Sequence, residues 1–171
     1  LEYSTLGGAI ANNAAGEKSL KYGTTRDFVR SMRAVLANGE VIETRRISKR
    51  ELGKKMGLSS MEGEIYRALD ALIEENKEII EQTRRKTTKN VAGYNIADVK
   101  KKDGSLDLTP LLVGSQGTLA IVTEAIIETE PHAPATTLLV ANFGNTDEAA
   151  KAVEELRNLP SLPSSIEMID E

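Results

Sequence analysis

The run Ser4-Thr5-Leu6-Gly7-Gly8-Ala9-Ile10-Ala11-Asn12-Asn13-Ala14-Ala15-Gly16 constrains this chain more than any other stretch. Apart from Leu6 and Ile10, every side chain in it is small. Without a Cβ at Gly7 and Gly8, the backbone can come within van der Waals distance of a bulky partner, and positive φ costs little. Ser4, Thr5, Asn12 and Asn13 donate hydrogen bonds without carrying charge. A turn at Gly7-Gly8 would leave its N–H groups pointing outward, and a helix over 9–15 would add a partial positive charge at its first turn. That surface suits a phosphate or a flat polar ring. It equally suits two secondary elements that pack closely, and the run alone does not separate the two.

Two nucleotide fingerprints are excluded. A phosphate loop needs G-x-x-x-x-G-K, but Gly16 is followed by Glu17 and position 11 is Ala11. No G-x-G-x-x-G occurs, so a Rossmann dinucleotide site has no support. The net charge of −4 argues against a general nucleic-acid binder. The basic clusters Arg84-Arg85-Lys86 and Lys100-Lys101-Lys102 read as solvated turns. Cysteine is absent, which removes disulfides, iron–sulfur centres, a thiol nucleophile and a cysteinyl flavin link from this stretch. The single histidine, His132, sits between Pro131 and Pro134 in an extended linker, and no metal site is visible. Neither a membrane-length apolar run nor a signal-peptide pattern occurs, so a cytoplasmic protein is expected. The chain opens on Leu1-Glu2-Tyr3 and closes on Ile169-Asp170-Glu171, which reads as a segment of something longer.

Along the chain, Val29–Leu36 is rich in β-formers, Asn38-Gly39 is the type I′ turn pair, and Val41-Ile42 starts a return strand. A short helix is predicted over 48–56. A longer one is predicted over 63–84, with Ile65, Leu69, Leu72, Ile73, Ile79 and Ile80 as its core stripe. Leu111–Val113 reads as a short strand. Another strand, about 119–128, places Ile121, Val122, Ile126 and Ile127 on at least one buried face. After the proline linker come a strand over 136–143, a helix over 145–159 with Asn145 as its N-cap, and a strand over 165–169. The pattern reads as α+β, with the opening β-α-β of a second small domain beyond the proline linker, over 135–171.

Several motifs, in this order, resemble one family. Ser4-Thr5-Leu6-Gly7-Gly8 with Asn13, Lys21-Tyr22-Gly23-Thr24, Val35-Leu36-Ala37-Asn38-Gly39-Glu40-Val41, Asn90-Val91-Ala92-Gly93-Tyr94-Asn95 and Gly114-Ser115-Gln116-Gly117-Thr118-Leu119-Ala120-Ile121-Val122-Thr123 are similar to the FAD-linked oxidases. More narrowly, they resemble the D-lactate dehydrogenase and glycolate oxidase branch of the p-cresol methylhydroxylase type. The resemblance runs from Leu1 to about Pro134 and implies that residues 1–134 are the second of two lobes of an FAD domain, an antiparallel sheet flanked by helices, with FAD extended between the lobes. The remainder resembles the start of a substrate-side cap.

Carried over by position, the resemblance places Ser4, Thr5, Gly7 and Gly8 along the pyrophosphate and ribityl chain of FAD. Asn12, Asn13 and Ala14 continue that wall toward the flavin, and Tyr22 and Gly23 border the ring. Gly117 lets the backbone approach, while Ile121 and Val122 present main-chain groups to the adenine end. Gln116 stands where the family usually has Glu, and Ala120 where it usually has Gly. The implied parent is an oxidoreductase that takes a hydride from a small 2-hydroxy acid, D-lactate or glycolate in type, to flavin N5. No catalytic base is visible; Asp27 and Asp98 read as ordinary surface carboxylates. Two rivals stay open: a non-catalytic α+β association module whose exposed half-cleft could drive homo-oligomerisation, and a flavoprotein of the same fold with another substrate.

Overall fold

The β-rich run from Val29 doubles back near Asn38-Gly39, and this hairpin seeds the sheet. The computed structural model describes residues 3–84, 87, 89–131 and 133–170, so His132, Arg85 and Lys86 lie outside the described residues. Strand β1 (Val29–Val35) pairs antiparallel with β2 (Val41–Thr44), with Met32 opposite Thr44 and Val35 opposite Val41. The turn is not type I′, which needs positive φ at both central residues. Of the loop 37–39 only Gly39 has positive φ, at +86°. Its N–H donates to Leu36 O at 2.9 Å, and Asn38 Oδ1 accepts the Glu40 N–H at 3.0 Å. The asparagine thus closes the loop through its side chain instead of adopting a left-handed backbone.

The other side of β1 pairs antiparallel with β3 (Ile121–Ile127), giving a sheet of order β2-β1-β3. The register slips between Val29 and Ser31 and again between Arg33 and Ala34. At the second slip, Arg33 faces Glu124 and Ala34 faces Val122, so Thr123 is an extra residue on β3. An extra residue shifts side-chain parity by one. The consequence is that Val122, Ala125 and Ile127 face inward, whereas Ile121 and Ile126 are 68% and 67% exposed. Simple alternation would have put Ile121 and Ile126, five residues apart, on opposite faces.

Helix α4 (Lys49–Met56) starts at a capping box between Ser48 and Glu51 and stops at Gly57. The single long helix expected after it is two, α5 (Met61–Glu75) and α6 (Lys77–Thr83). They break at Asn76, whose Nδ2 donates to Leu72 O at 2.9 Å, a side-chain competitor for a helical carbonyl. Leu72 and Ile79 of the expected stripe are exposed, and Tyr66, outside that stripe, is fully buried. Leu111–Val113 is not a strand. Pro110 opens a short helix α7 (Thr109–Leu112), preceded by Asp107, whose Oδ1 accepts the Thr109 N–H at 2.8 Å. The core joins Met32 and Ala34 of β1, Ile42 of β2, Tyr66 and Ile73 of α5, and Leu106, Leu112 and Val113.

Beyond the sheet, α8 (Thr146–Arg157) starts at Asn145, whose Oδ1 accepts the Glu148 N–H at 3.0 Å. The flanking segments 136–143 and 165–169 are not strands among the described residues. A strand needs a ladder partner, and no described segment pairs with them; Leu138 and Val140 are 87% and 73% exposed. Among the described residues no helix is long and apolar enough to cross a membrane, and no His, Asp and Glu group could hold a metal ion.

Candidate cofactor site

The small-residue run forms helix α1 (Leu6–Asn12), three residues earlier than its composition alone suggests. The reason is Thr5, whose Oγ1 accepts the Gly8 N–H at 3.0 Å and caps the first turn. Gly7 and Gly8 therefore lie inside that turn and do not form a separate one. The helix ends at Asn13, left-handed at φ 47°, with Ala14 N–H returning to Ala9 O at 2.9 Å.

Two other segments close on this C-terminal end. Gly114 N–H donates to Ile10 O at 2.9 Å, and Gln116 N–H donates to Ala11 O at 3.0 Å. Both bonds need the tight loop 114–117, where Gly114, Gln116 and Gly117 all have positive φ. Space at Gly114 is tight as well, since a Cβ there would stand 3.1 Å from Asn13 Cβ. From the other side, Thr25 Oγ1 donates to Ala14 O at 2.9 Å, and Asn13 Oδ1 accepts the Arg26 N–H at 2.9 Å. Thr25 and Arg26 belong to α3 (Thr25–Phe28), which follows α2 (Ser19–Tyr22) across Gly23. Thr24 and Asp27 form a capping box for α3, with the Thr24 N–H donating to Asp27 Oδ2 at 2.7 Å. A Cβ on Gly23, at φ +83°, would overlap that same oxygen.

A fourth segment joins through Tyr94. Its hydroxyl lies 2.7 Å from Thr118 Oγ1, which in turn donates to Ser115 O at 2.6 Å. Helix α1, the α2–α3 turn, the loop 114–118 and the loop around Tyr94 are thus one hydrogen-bonded unit.

The positions singled out from sequence fall into three groups. Asn12, Asn13, Ala14, Tyr22, Gly23 and Gly117 come together at this junction. Ser4, Thr5, Gly7 and Gly8 line the far end of α1, about 9 Å away at 1.5 Å per residue, and all but the half-buried Gly8 are exposed. Ile121 and Val122 begin β3 on the edge of the sheet, four and five residues past Gly117. Asn13 is fully buried, and its side chain holds α3 in place.

Sequence reasoning missed three participants. The Thr24-x-x-Asp27 spacing would have revealed the capping box. Nothing local would have revealed the Tyr94–Thr118 contact or the half-buried Arg26. Burial lowers the Arg26 guanidinium from its ordinary pKa, with Asp98 and Asp27 acting against it. Asp98 is no ordinary surface group either. Burial pushes its carboxyl up, but the Asn95 amide, Lys101 and Arg84 outweigh that and hold it below the usual range.

The wall fits one side of an FAD molecule. It holds hydroxyl and amide donors and no carboxylate between Ser4 and Gly16, which suits a pyrophosphate. A Cβ on Gly7 would meet nothing within 4 Å, so the surface there is open to a flat partner.

Comparison with known proteins agrees. Residues 1–45 match the FAD binding domain family. Over 171 residues the chain is 33% identical to the glycolate oxidase subunit GlcD of Bacillus subtilis, covering 100% of this chain and 26% of that protein. It is 32% identical to the D-2-hydroxyglutarate dehydrogenase of Pantoea ananatis, over 98% of this chain and 16% of that one. To the D-lactate dehydrogenase of Archaeoglobus fulgidus it is 31% identical, over 99% of this chain and 26% of that one. The chain thus spans about a quarter or less of the length of these relatives. With the motifs in order along its length and the same relatives matching throughout, the chain is similar over its whole length to FAD-linked oxidoreductases of the glycolate oxidase and D-lactate dehydrogenase kind, and the FAD binding domain match over residues 1–45 supports FAD as the cofactor.

Proposed function

We propose that this chain supplies one wall of the FAD site in an oxidoreductase acting on a small 2-hydroxy acid. The observation that carries the proposal is the pair of main-chain bonds from Gly114 and Gln116 to Ile10 and Ala11, which fixes two distant glycine-rich segments as one surface. The names of the relatives, glycolate oxidase, D-lactate dehydrogenase and D-2-hydroxyglutarate dehydrogenase, support the substrate class. In this reading residues 1–134 are the second lobe of the FAD domain and 135–171 begin a substrate-side domain, in a cytoplasmic enzyme.

When bound, FAD would supply the two-electron acceptor for a hydride from the α-carbon of the hydroxy acid. This chain's part is binding and orientation. Ser4, Thr5, Gly7 and Gly8 line the pyrophosphate and ribityl chain; Asn12 and Ala14 extend that wall, with Asn13 positioning it from within. Tyr22 and Gly23 border the ring, Gly117 permits close approach, and Ile121 and Val122 offer main-chain groups from the sheet edge. Asp27 and Asp98 are committed to the α3 cap and to Arg84 and Asn95, so neither serves as the base that removes the hydroxyl proton.

The test is direct. Full-length protein should purify with FAD, and D-lactate or glycolate should bleach its absorbance under anaerobic conditions. The isolated 171-residue chain should hold FAD far more weakly, since half of the donors around the pyrophosphate would be missing. Full-length protein that refuses FAD overturns the reading. One observation favours a second reading, a non-catalytic association module: Ile121 and Ile126 are exposed on edge strand β3, a ready surface for a second copy. A specific oligomer in a full-length protein without flavin would favour it.

A further inference from the structure

A polar cavity of about 430 Å³ lies between α3 and the described residues of the stretch 80–98. Arg26 lines it, along with Thr24, Thr83, Asn90, Tyr94 and Asn95. Arg26 is less exposed than the arginines that form ion pairs. Arg30, Arg33, Arg45, Arg46 and Arg84 each meet a carboxylate at ion-pair distance. Arg26 meets none among the described residues. Its guanidinium has five donors, yet its one hydrogen bond there is from Nη2 to Val113 O, long at 3.3 Å, and its Nε is buried without an acceptor.

Asp98 and Asp27 act on it from beyond ion-pair distance and spend oxygens elsewhere. Asp27 Oδ2 is taken by the Thr24 N–H and hydroxyl. Asp98 gives one oxygen to Arg84 at 3.0 Å and the other to Asn95 at 2.6 Å. A half-buried cation with no ionic partner is unfavourable unless something else supplies the counter-charge. The cavity also holds a second spare donor. Asn90 spends Oδ1 on the Ala92 N–H at 3.3 Å, and its Nδ2 has no hydrogen bond among the described residues.

We propose that this cavity is an oxyanion-binding site, in which Arg26 and Asn90 receive a small monocarboxylate. A planar carboxylate matches the guanidinium fork, which favours it over an isolated point contact. Asp27 and Asp98 share the lining and repel a doubly charged phosphate more than a singly charged carboxylate. The site does not depend on flavin, so it stands or falls separately from the proposed function.

The experiment is a titration of the full chain with acetate, followed by amide chemical shifts, with inorganic phosphate as a parallel probe and chloride at matched ionic strength as the control. Saturable shifts at residues 24–27 and 90–95 are expected in the millimolar range, with phosphate weaker than acetate. Arg26→Gln should weaken acetate about tenfold or more, and Asn90→Ala a few-fold. Arg26→Lys, which keeps the charge but loses the fork, should fall between wild type and Arg26→Gln; if Arg26→Gln fails to fold, Arg26→Lys and Asn90→Ala still decide the matter. Shifts that do not saturate, acetate affinity unchanged in Arg26→Lys and Asn90→Ala, or phosphate binding tighter than acetate overturns the proposal.

Discussion

Gly114 donates its N–H to Ile10 O at 2.9 Å, and across this bond its Cα faces Asn13 so closely that a Cβ would stand 3.1 Å from Asn13 Cβ. Residues about a hundred positions apart are locked together by glycine's lack of a side chain. Every claim about the cofactor wall depends on that lock, and its parts can be loosened one at a time.

Gly7 separates cofactor binding from stability. A Cβ there meets nothing within 4 Å and the residue lies in α1, so Gly7→Ala should stabilise the fold by about 0.5–1 kcal/mol. The same methyl would stand between the wall and a flat partner. Thermal unfolding of the chain should show the gain, and FAD titration of the full-length protein should show weaker binding. A variant that gains stability and keeps its FAD affinity places the cofactor elsewhere.

Gly23 tests the α2–α3 turn. Its φ of +83° and its crowding against Asp27 mean that Gly23→Ala should cost roughly 2–3 kcal/mol, from backbone strain and a displaced cap. Asp27→Ala alone should cost about 1 kcal/mol. Because both changes act on one carboxylate, the double variant should lose less than the sum. Urea unfolding of the three variants measures this.

The Tyr94–Thr118 contact calls for a double-mutant cycle. Tyr94→Phe and Thr118→Val each remove one hydroxyl of a 2.7 Å pair. Their coupling in unfolding free energy should be about 0.5–1.5 kcal/mol. Zero coupling would mean that the loop 114–118 is held without help from the Tyr94 segment.

Acid should loosen the Ile47–Leu106 region through Asp103. Hydrogen bonds from the Ser105 hydroxyl and N–H, at 2.6 Å and 2.9 Å, and from Arg46 at 2.6 Å hold this carboxyl at about 2, below its ordinary 3.8. The folded value lies below the unfolded one, so the stabilisation is fully present above pH 3.8 and is lost as pH falls toward 2. Asp103→Asn should flatten that part of the stability profile, measured by urea midpoints across the same range. An unchanged slope in the variant would assign the acid sensitivity to other carboxylates.

Much of this was legible in the sequence because it rests on local rules. Asn145 and Ser48 cap helices where their spacing to Glu148 and Glu51 says they should, and the β1–β2 hairpin forms where its turn residues sit. What escaped was set at a distance. A single extra residue at Thr123 put Ile121 and Ile126 on the same outward face, and bulges leave no mark in alternation until the partner strand is known. Asn76 split a continuous apolar stripe by taking a carbonyl for its side chain. At the site, the identity of the small residues was readable, but the inward turn of Asn13 and the unpaired state of Arg26 depend on which segments arrive from across the chain.

The central claim is that α1 and the segment 114–122 form one face against FAD. Hydrogen exchange on the full-length protein, with and without FAD, tests it most directly. Added FAD should slow exchange at residues 4–14, 22–23 and 114–122 and leave α5 and α8 unchanged. Protection confined to other segments, with these three exchanging as before, would contradict it.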